Sequence, residues 1–115
     1  MKDFIVKLSK DLFESKIKIE EELRKGNKTN EQLYNLIIKA IEFLRSNRTG
    51  APVSKKLPIY KYFLERFGIN NLFILDIGKG ARAFYTSVSQ DEFSILQIIL
   101  EVHETHKEYE RKGNY

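Results

Sequence analysis

The last third of the chain consists of apolar segments that alternate like β-strands and are separated by short polar or glycine-rich links. Residues 71–88 read NLFILDIGKGARAFYTSV, and residues 93–102 read FSILQIILEV. The glycine-rich link at residues 78–80 divides the first segment and is typical of a hairpin turn. The pattern predicts strands at about residues 72–77, 82–88 and 93–102. Because the links are too short for a crossover, we expect an antiparallel meander.

The third predicted strand is apolar on both of its alternating faces. One face carries Ile95 and Ile99, and the other carries Leu96, Ile98 and Leu100. A strand without a polar face must be covered on both sides. We therefore expect it to lie centrally or to be covered from above and below.

Two amphipathic helices are predicted before the sheet. The first begins at a cap provided by Ser9 or Asp11 and runs to about Lys25. The second opens at Thr29, with Gln32 as its capping-box partner three residues later. Its apolar residues recur at helical spacing: Leu33, Leu36, Ile37, Ala40, Ile41 and Leu44. We expect an antiparallel helical hairpin whose apolar face belongs to the core.

A short strand within residues 1–8 and a helical turn at about residues 59–67 complete the predicted elements. Gly50-Ala51-Pro52 and Pro58 interrupt the helical pattern between them. The chain has 115 residues and 42% hydrophobic content, enough for one core. The predicted fold class is α+β, in which an N-terminal helical hairpin packs on a twisted antiparallel β-sheet, and residues 1–115 form one domain.

The excess of positive charge is confined to one segment. The net charge of the chain is +4, and residues 45–66 hold six basic residues against a single Glu. A local basic segment within a folded domain indicates a polyanionic partner. A solvated lysine-rich loop is the simpler interpretation, and the sequence leaves both open. The basic residues are Arg45, Arg48, Lys55, Lys56, Lys61 and Arg66.

Several classes of protein are not favoured by the composition. The chain has no cysteine, no apolar run of membrane-spanning length and no uninterrupted apolar stretch at its N-terminus. We therefore expect a cytoplasmic protein with no membrane partner. His103 and His106 are spaced three residues apart, but without a third, distant histidine they make a weak zinc signal. We predict no metal and no cofactor.

The polar residues of the basic segment and the C-terminal third are those that RNA cleavage without a metal requires. RNA supplies its own nucleophile, the ribose 2′-OH, so the protein must supply a base, an acid and cationic donors. Arg82 suits bidentate phosphate contact, and His106 suits proton transfer near neutral pH. Lys56 is a further candidate acid or base, and Tyr109 a candidate for stacking on a base or donating its hydroxyl. Taken singly, Arg82 is equally interpreted as a surface arginine and Tyr109 as a packing residue.

At these residues the chain resembles the RelE/ParE superfamily of toxins from toxin–antitoxin systems, most closely the ribosome-dependent mRNA interferases. A helical hairpin and a loop with paired lysines precede the motif LxxLDIGKGARAFY, and an apolar strand then ends in HKEYER. The resemblance covers nearly the whole chain and is most specific over residues 71–111. Arg82-Ala83-Phe84-Tyr85 matches the strand arginine of the family, and His106 with Tyr109 matches its C-terminal pair.

The resemblance implies a microbial ribonuclease type of fold, cleavage of mRNA in the ribosomal A site and neutralisation by a small cognate antitoxin. Arg82 would stabilise the charge of the transition state, His106 would be the general acid or base, and Tyr109 would orient the substrate. Lys56 is the fourth candidate catalytic residue. The candidate RNA-binding residues are Lys55, Arg48, Lys61, Lys107 and Arg111.

Two other functions remain open at this point. A ParE-like toxin would have the same fold but would inhibit DNA gyrase. A non-enzymatic RNA-binding protein would use the basic segment alone and would lose affinity with each lysine that contacts a phosphate.

Overall fold

The chain forms an α+β domain, as predicted. The computed structural model describes residues 3–105. Within this range no helix has the length and apolar character needed to cross a membrane. The predicted helix and strand positions agree with the observed ones to within a residue or two. The elements are β1 (Asp3–Leu8), α1 (Lys10–Arg24), α2 (Glu31–Arg45), β2 (Ala51–Pro52), α3 (Pro58–Phe67), β3 (Phe73–Gly78), β4 (Ala81–Ser89) and β5 (Ser94–His103).

The five strands form one mixed sheet in the order β1-β5-β4-β3-β2. Strands β3, β4 and β5 pair antiparallel in chain order, which confirms the predicted meander, and β2 pairs antiparallel with β3. The expectation of a wholly antiparallel sheet is wrong, because β1 pairs parallel with β5. The short-link rule constrains only consecutive strands, whereas β1 joins the last strand of the described chain. The intervening elements, among them α1 and α2, supply the long connection that a parallel pair requires.

Helices cover both faces of the sheet. On one face, α1 and α2 pack against β3, β4 and β5, and β1, which precedes both helices in the chain, belongs to the same sheet. The core residues on this face include Leu12, Ile37, Ala40, Leu44, Ile77, Ala83, Tyr85 and Ile99. On the other face, α3 contributes a second core that includes Ile59, Tyr60, Phe63, Leu72, Phe84 and Leu100. Strand β5 is therefore covered from both sides, as its two apolar faces predict.

The register between β4 and β5 contains a β-bulge. Phe84 pairs with Glu101, but the next residue, Tyr85, pairs with Ile99, so Leu100 is an extra residue on β5. A bulge reverses the alternation of the side chains beyond it. Val102 consequently joins the core under α1 and α2, and Glu101 faces α3, where it accepts a hydrogen bond.

The two helix starts differ in how well the sequence predicts them. Ser9 caps α1: its Oγ accepts from the Leu12 N–H at 3.3 Å and its hydroxyl donates to the Leu100 carbonyl at 2.8 Å. The capping box at Thr29 is wrong, because α2 follows Asn30, which makes no side-chain cap. The Thr29 hydroxyl instead donates to Asn27 Oδ1 at 2.6 Å. This local hydrogen bond between two side chains takes the place of the predicted cap.

The second core predicts a large difference between two phenylalanine substitutions. Phe63 is fully buried and stacks on Phe84 with ring centroids 4.8 Å apart, whereas Phe13 is 50% exposed. Phe63→Ala should lower the free energy of unfolding by about 3–5 kcal/mol. Phe13→Ala, the matched control, should lower it by less than about 1 kcal/mol. Urea titration measures both, and equal losses would contradict the described position of α3.

Tyr85 predicts a specific loss of stability at high pH. Burial raises the pKa of its hydroxyl, although the hydrogen bond from the Gly50 N–H at 2.8 Å lowers it. The folded state therefore holds the phenolic proton more tightly than the unfolded chain. This contribution is present below the unfolded pKa of about 10 and is lost as pH rises through the folded pKa.

The comparison of the wild type with Tyr85→Phe isolates this contribution. The unfolding free energy of both proteins should fall at alkaline pH, but more steeply in the wild type. Urea titrations between about pH 9 and about pH 12 measure the two slopes. Parallel slopes would show that Tyr85 keeps an ordinary pKa in the folded protein.

Candidate functional site

Arg82 lies in a row of three polar residues that crosses the sheet. It pairs directly with Asp76 of β3 on one side and with His103 of β5 on the other. Its Nη1 lies 3.2 Å from Asp76 Oδ1 and donates to the Ala81 carbonyl at 3.0 Å. The Arg82 side chain is 23% exposed, whereas that of Asp76 is 69% exposed. An ion pair with so exposed a partner contributes little to stability and is open to competition from another anion.

His103 is buried beside this arginine. The residue is 1% exposed, and its Nε2 lies 2.7 Å from Glu101 Oε1. Its ring lies 5.1 Å from that of Phe84, so the imidazole is on the α3 side of the sheet. Among residues 3–105, Nδ1 of His103 finds no hydrogen-bond partner. A buried polar atom of this kind is costly and therefore calls for an explanation.

Glu101 connects this histidine to two helices. Its Oε2 accepts a hydrogen bond from the Tyr62 hydroxyl at 2.6 Å and lies 3.4 Å from Arg66 Nε, both on α3. Arg66 in turn contacts Asp11 of α1 through Nη2 at 2.6 Å. The carboxylate is only 14% exposed, so the tyrosine and the arginine compensate its burial.

A cavity of about 320 Å³ lies beside this cluster. It is located beyond the last pair of the β1–β5 ladder, Leu8 with Ile99, and its walls come from α1, α3, the end of β5 and Leu33 of α2. Its polar lining consists of Asp11, Ser15, Tyr62, Arg66, Glu101 and His103. The cavity therefore brings α1, α3 and β5 side chains together next to the strand that pairs with Arg82.

The predicted RNA-binding lysines lie around a different cavity. Lys55, Lys56 and Lys61 line an open cavity of about 760 Å³ together with Leu57 and Leu64. Neither Arg82 nor His103 is among its lining residues. The structure thus brings the three lysines together with one another, and Arg82 together with Asp76 and His103. Arg48, also predicted to bind RNA, lies over the ring of Phe43 at 4.0 Å.

The remaining predicted site residues, His106, Lys107, Tyr109 and Arg111, lie outside the described residues. In the sequence they follow His103, the residue opposite Arg82. Among residues 3–105 there is no group of three His, Asp or Glu side chains arranged to hold a metal ion.

Sequence reasoning missed the polar cluster around Glu101. A signal for it existed, because Glu101 and His103 follow an apolar run of β5 at a spacing of two. Tyr62 and Arg66 are likewise separated by one helical turn on α3. Neither spacing alone reveals that the two pairs meet, because the bulge in β5 decides which face Glu101 occupies.

These features define an α+β domain whose mixed sheet is covered on both faces and carries an Arg-His-Glu cluster at one end. Comparison with protein-family models, curated proteins and solved structures finds no match for this chain. Function must therefore be inferred from the site and from the sequence motifs.

Because Tyr62 compensates the burial of the Glu101 carboxylate, two tyrosine substitutions should destabilise the fold by unequal amounts. Tyr62 and Tyr34 each donate a hydroxyl to a glutamate, at 2.6 Å to Glu101 and 2.9 Å to Glu20. Glu101 is 14% exposed and Glu20 is 35% exposed. Tyr62→Phe should destabilise the fold by about 1.5–3 kcal/mol, as expected for a hydrogen bond to a buried charge. Tyr34→Phe should cost clearly less, and thermal unfolding that ranks the variants in the opposite order would contradict this assignment.

Proposed function

We propose that the protein is an endoribonuclease toxin of the RelE/ParE type that cleaves mRNA on the ribosome. In this proposal the ribose 2′-OH attacks the adjacent phosphorus, and protein side chains supply the base, the acid and the cation. The sequence motifs that resemble this superfamily support it, as does the position of Arg82.

The surroundings of Arg82 are the observation that carries the proposal. Its side chain is mostly covered and held on a paired strand, while its carboxylate contact among residues 3–105, Asp76, is largely in solvent. A phosphate can replace such a carboxylate, because each can accept two hydrogen bonds from the planar guanidinium fork. An arginine held in place before the substrate arrives stabilises the developing charge of the transition state without reorganising.

The lysine cavity supports a polyanionic substrate. Lys55, Lys56 and Lys61 belong to the segment that holds the basic excess of the chain, and they converge around one opening. In the proposed function they hold the RNA backbone, and Lys56 or His106 exchanges the reacting protons. Tyr109 orients the substrate, and Lys107 and Arg111 extend the basic surface.

The proposed partners are the ribosome with its mRNA and a cognate antitoxin that neutralises the toxin. Activity on translating ribosomes requires a cytoplasmic location. The lysine cavity alone also suits a non-enzymatic RNA-binding protein, and the resemblance alone also suits a gyrase-inhibiting toxin. Only a nuclease, however, requires Arg82 for turnover.

Cleavage of mRNA in translating ribosomes, mapped to the nucleotide, tests the proposal. Wild-type protein should cut within A-site codons, and Arg82→Ala should lower the cleavage rate by about 10²–10³-fold, as removal of an oxyanion donor does elsewhere. Arg82→Lys should recover part of the rate, because it restores the charge but not the fork.

Arg24→Ala is the matched control, since it also removes one arginine. Arg24 is 73% exposed and lies in the last turn of α1. Its variant should cut like the wild type. Folded wild-type protein that cuts no ribosome-bound mRNA would refute the nuclease proposal. Inhibition of gyrase, or RNA binding with a steep salt dependence, would then identify the alternative function.

A further inference from the structure

His103 is buried directly opposite Arg82, and only one of its two ring nitrogens has a polar partner among the described residues. The two residues are register partners, and the contact of the His103 ring with Phe84 places the imidazole on the face that Arg82 also occupies. Directly opposed side chains in such a pair have Cβ atoms about 5 Å apart. Nε2 contacts Glu101, but Nδ1 lacks a partner among the described residues. An aromatic ring without nitrogen would fill the same space without that unsatisfied atom.

We infer that His103 and Glu101 are positioning residues that hold the side chain of Arg82 in its binding conformation. The expected effect on catalysis rests on the proposed function, whereas the ordering of the Arg82 side chain does not. As the register partner of Arg82 on the same face, the imidazole limits the space open to the arginine side chain, and the contact with Glu101 fixes the rotation of the imidazole. An arginine without such a limit populates many rotamers, and ordering it on binding costs conformational entropy.

The position of Glu101 is itself fixed from two directions. Tyr62 and Arg66 contact its Oε2 from α3, while its Oε1 contacts His103. Arg66 also contacts Asp11, which ties the group to α1. A chain of polar contacts therefore runs from α1 through α3 and β5 to the register partner of Arg82.

His103 offers almost no surface to a substrate in this arrangement. Its side chain is 2% exposed, and Phe84 and Glu101 contact its ring. The role that remains is an indirect one, exerted through Arg82. This explains why a half-satisfied imidazole occupies a core position, since unsatisfied buried groups and local strain are tolerated where they order a functional site.

The order of the Arg82 side chain can be measured without reference to activity. In the 15N-labelled protein, the Nε–Hε signal of Arg82 is assigned by its loss in Arg82→Lys. Its heteronuclear NOE should be close to that of the β4 backbone in the wild type. In His103→Phe, which keeps a ring against Phe84 but cannot contact Glu101, this NOE should fall towards the value of an exposed arginine.

Glu101→Gln is the second variant, since it preserves size and an acceptor for Tyr62 but removes the charge that holds the imidazole. It should also lower the NOE of Arg82. Thr86→Val is the matched control: Thr86 is a buried polar residue of β4 whose hydroxyl donates to Asn71 at 2.7 Å. It should lower Tm and leave the Arg82 signal unchanged.

Cleavage kinetics provide the second readout. His103→Phe and Glu101→Gln should lower kcat by about tenfold or more with little change in KM, because a displacement of about 1 Å in a catalytic group can cost about 10²-fold. Thr86→Val should leave kcat unchanged at temperatures below its Tm.

The outcomes separate this inference from the proposed function. If the wild type cuts no RNA, the proposed function fails, and the Arg82 NOE still decides whether His103 and Glu101 order the arginine. If both variants lower Tm but leave that NOE unchanged, His103 is a packing residue only and the inference is wrong. If His103→Phe does not fold, Glu101→Gln decides alone.

Discussion

The whole polar site depends on a single extra residue in β5. Strict alternation would place Ile99, Glu101 and His103 on one face of the sheet, beneath α1 and α2. The bulge at Leu100 instead leaves Ile99 in that core and turns Glu101 and His103 towards α3. A shift of one residue moves every following side chain to the opposite face. Without it, two ionisable groups would enter an apolar core and Arg82 would face neither of them.

Helix α3 has two roles that follow from its periodicity. One stripe, which includes Ile59 and Phe63, closes the second core. The adjacent stripe, Tyr62 and Arg66, meets the carboxylate that the bulge has turned towards it. Burial of a carboxylate is tolerated only with such donors, so the packing of α3 and the position of Glu101 stabilise each other. A helix that only covered the sheet would leave the charge uncompensated.

The fold was predictable to the extent that it depends on local periodicity. The amphipathic stripe of α2, the glycine link before β4 and the two apolar faces of β5 predict their elements correctly. The parallel pairing of β1 was not predictable, because it joins residues about ninety positions apart and no local pattern specifies it. For the same reason Arg82 could be singled out from its strand, whereas His103 was considered only as a metal ligand. Its true neighbours depend on the register shift at Leu100.

Helix α3 also separates two kinds of positive charge. Lys61 and Leu64 line the lysine cavity, while Tyr62 and Arg66 of the same helix line the cavity beside His103. In the proposed function, Lys55 and Lys61 hold the RNA backbone and Arg82 contacts the reacting phosphate. Contacts between the lysines and the RNA backbone are made equally in the ground state and the transition state, so they set affinity. In that proposal Arg82 faces the reacting phosphate, and for that reason its order is expected to affect turnover more than the number of lysines does.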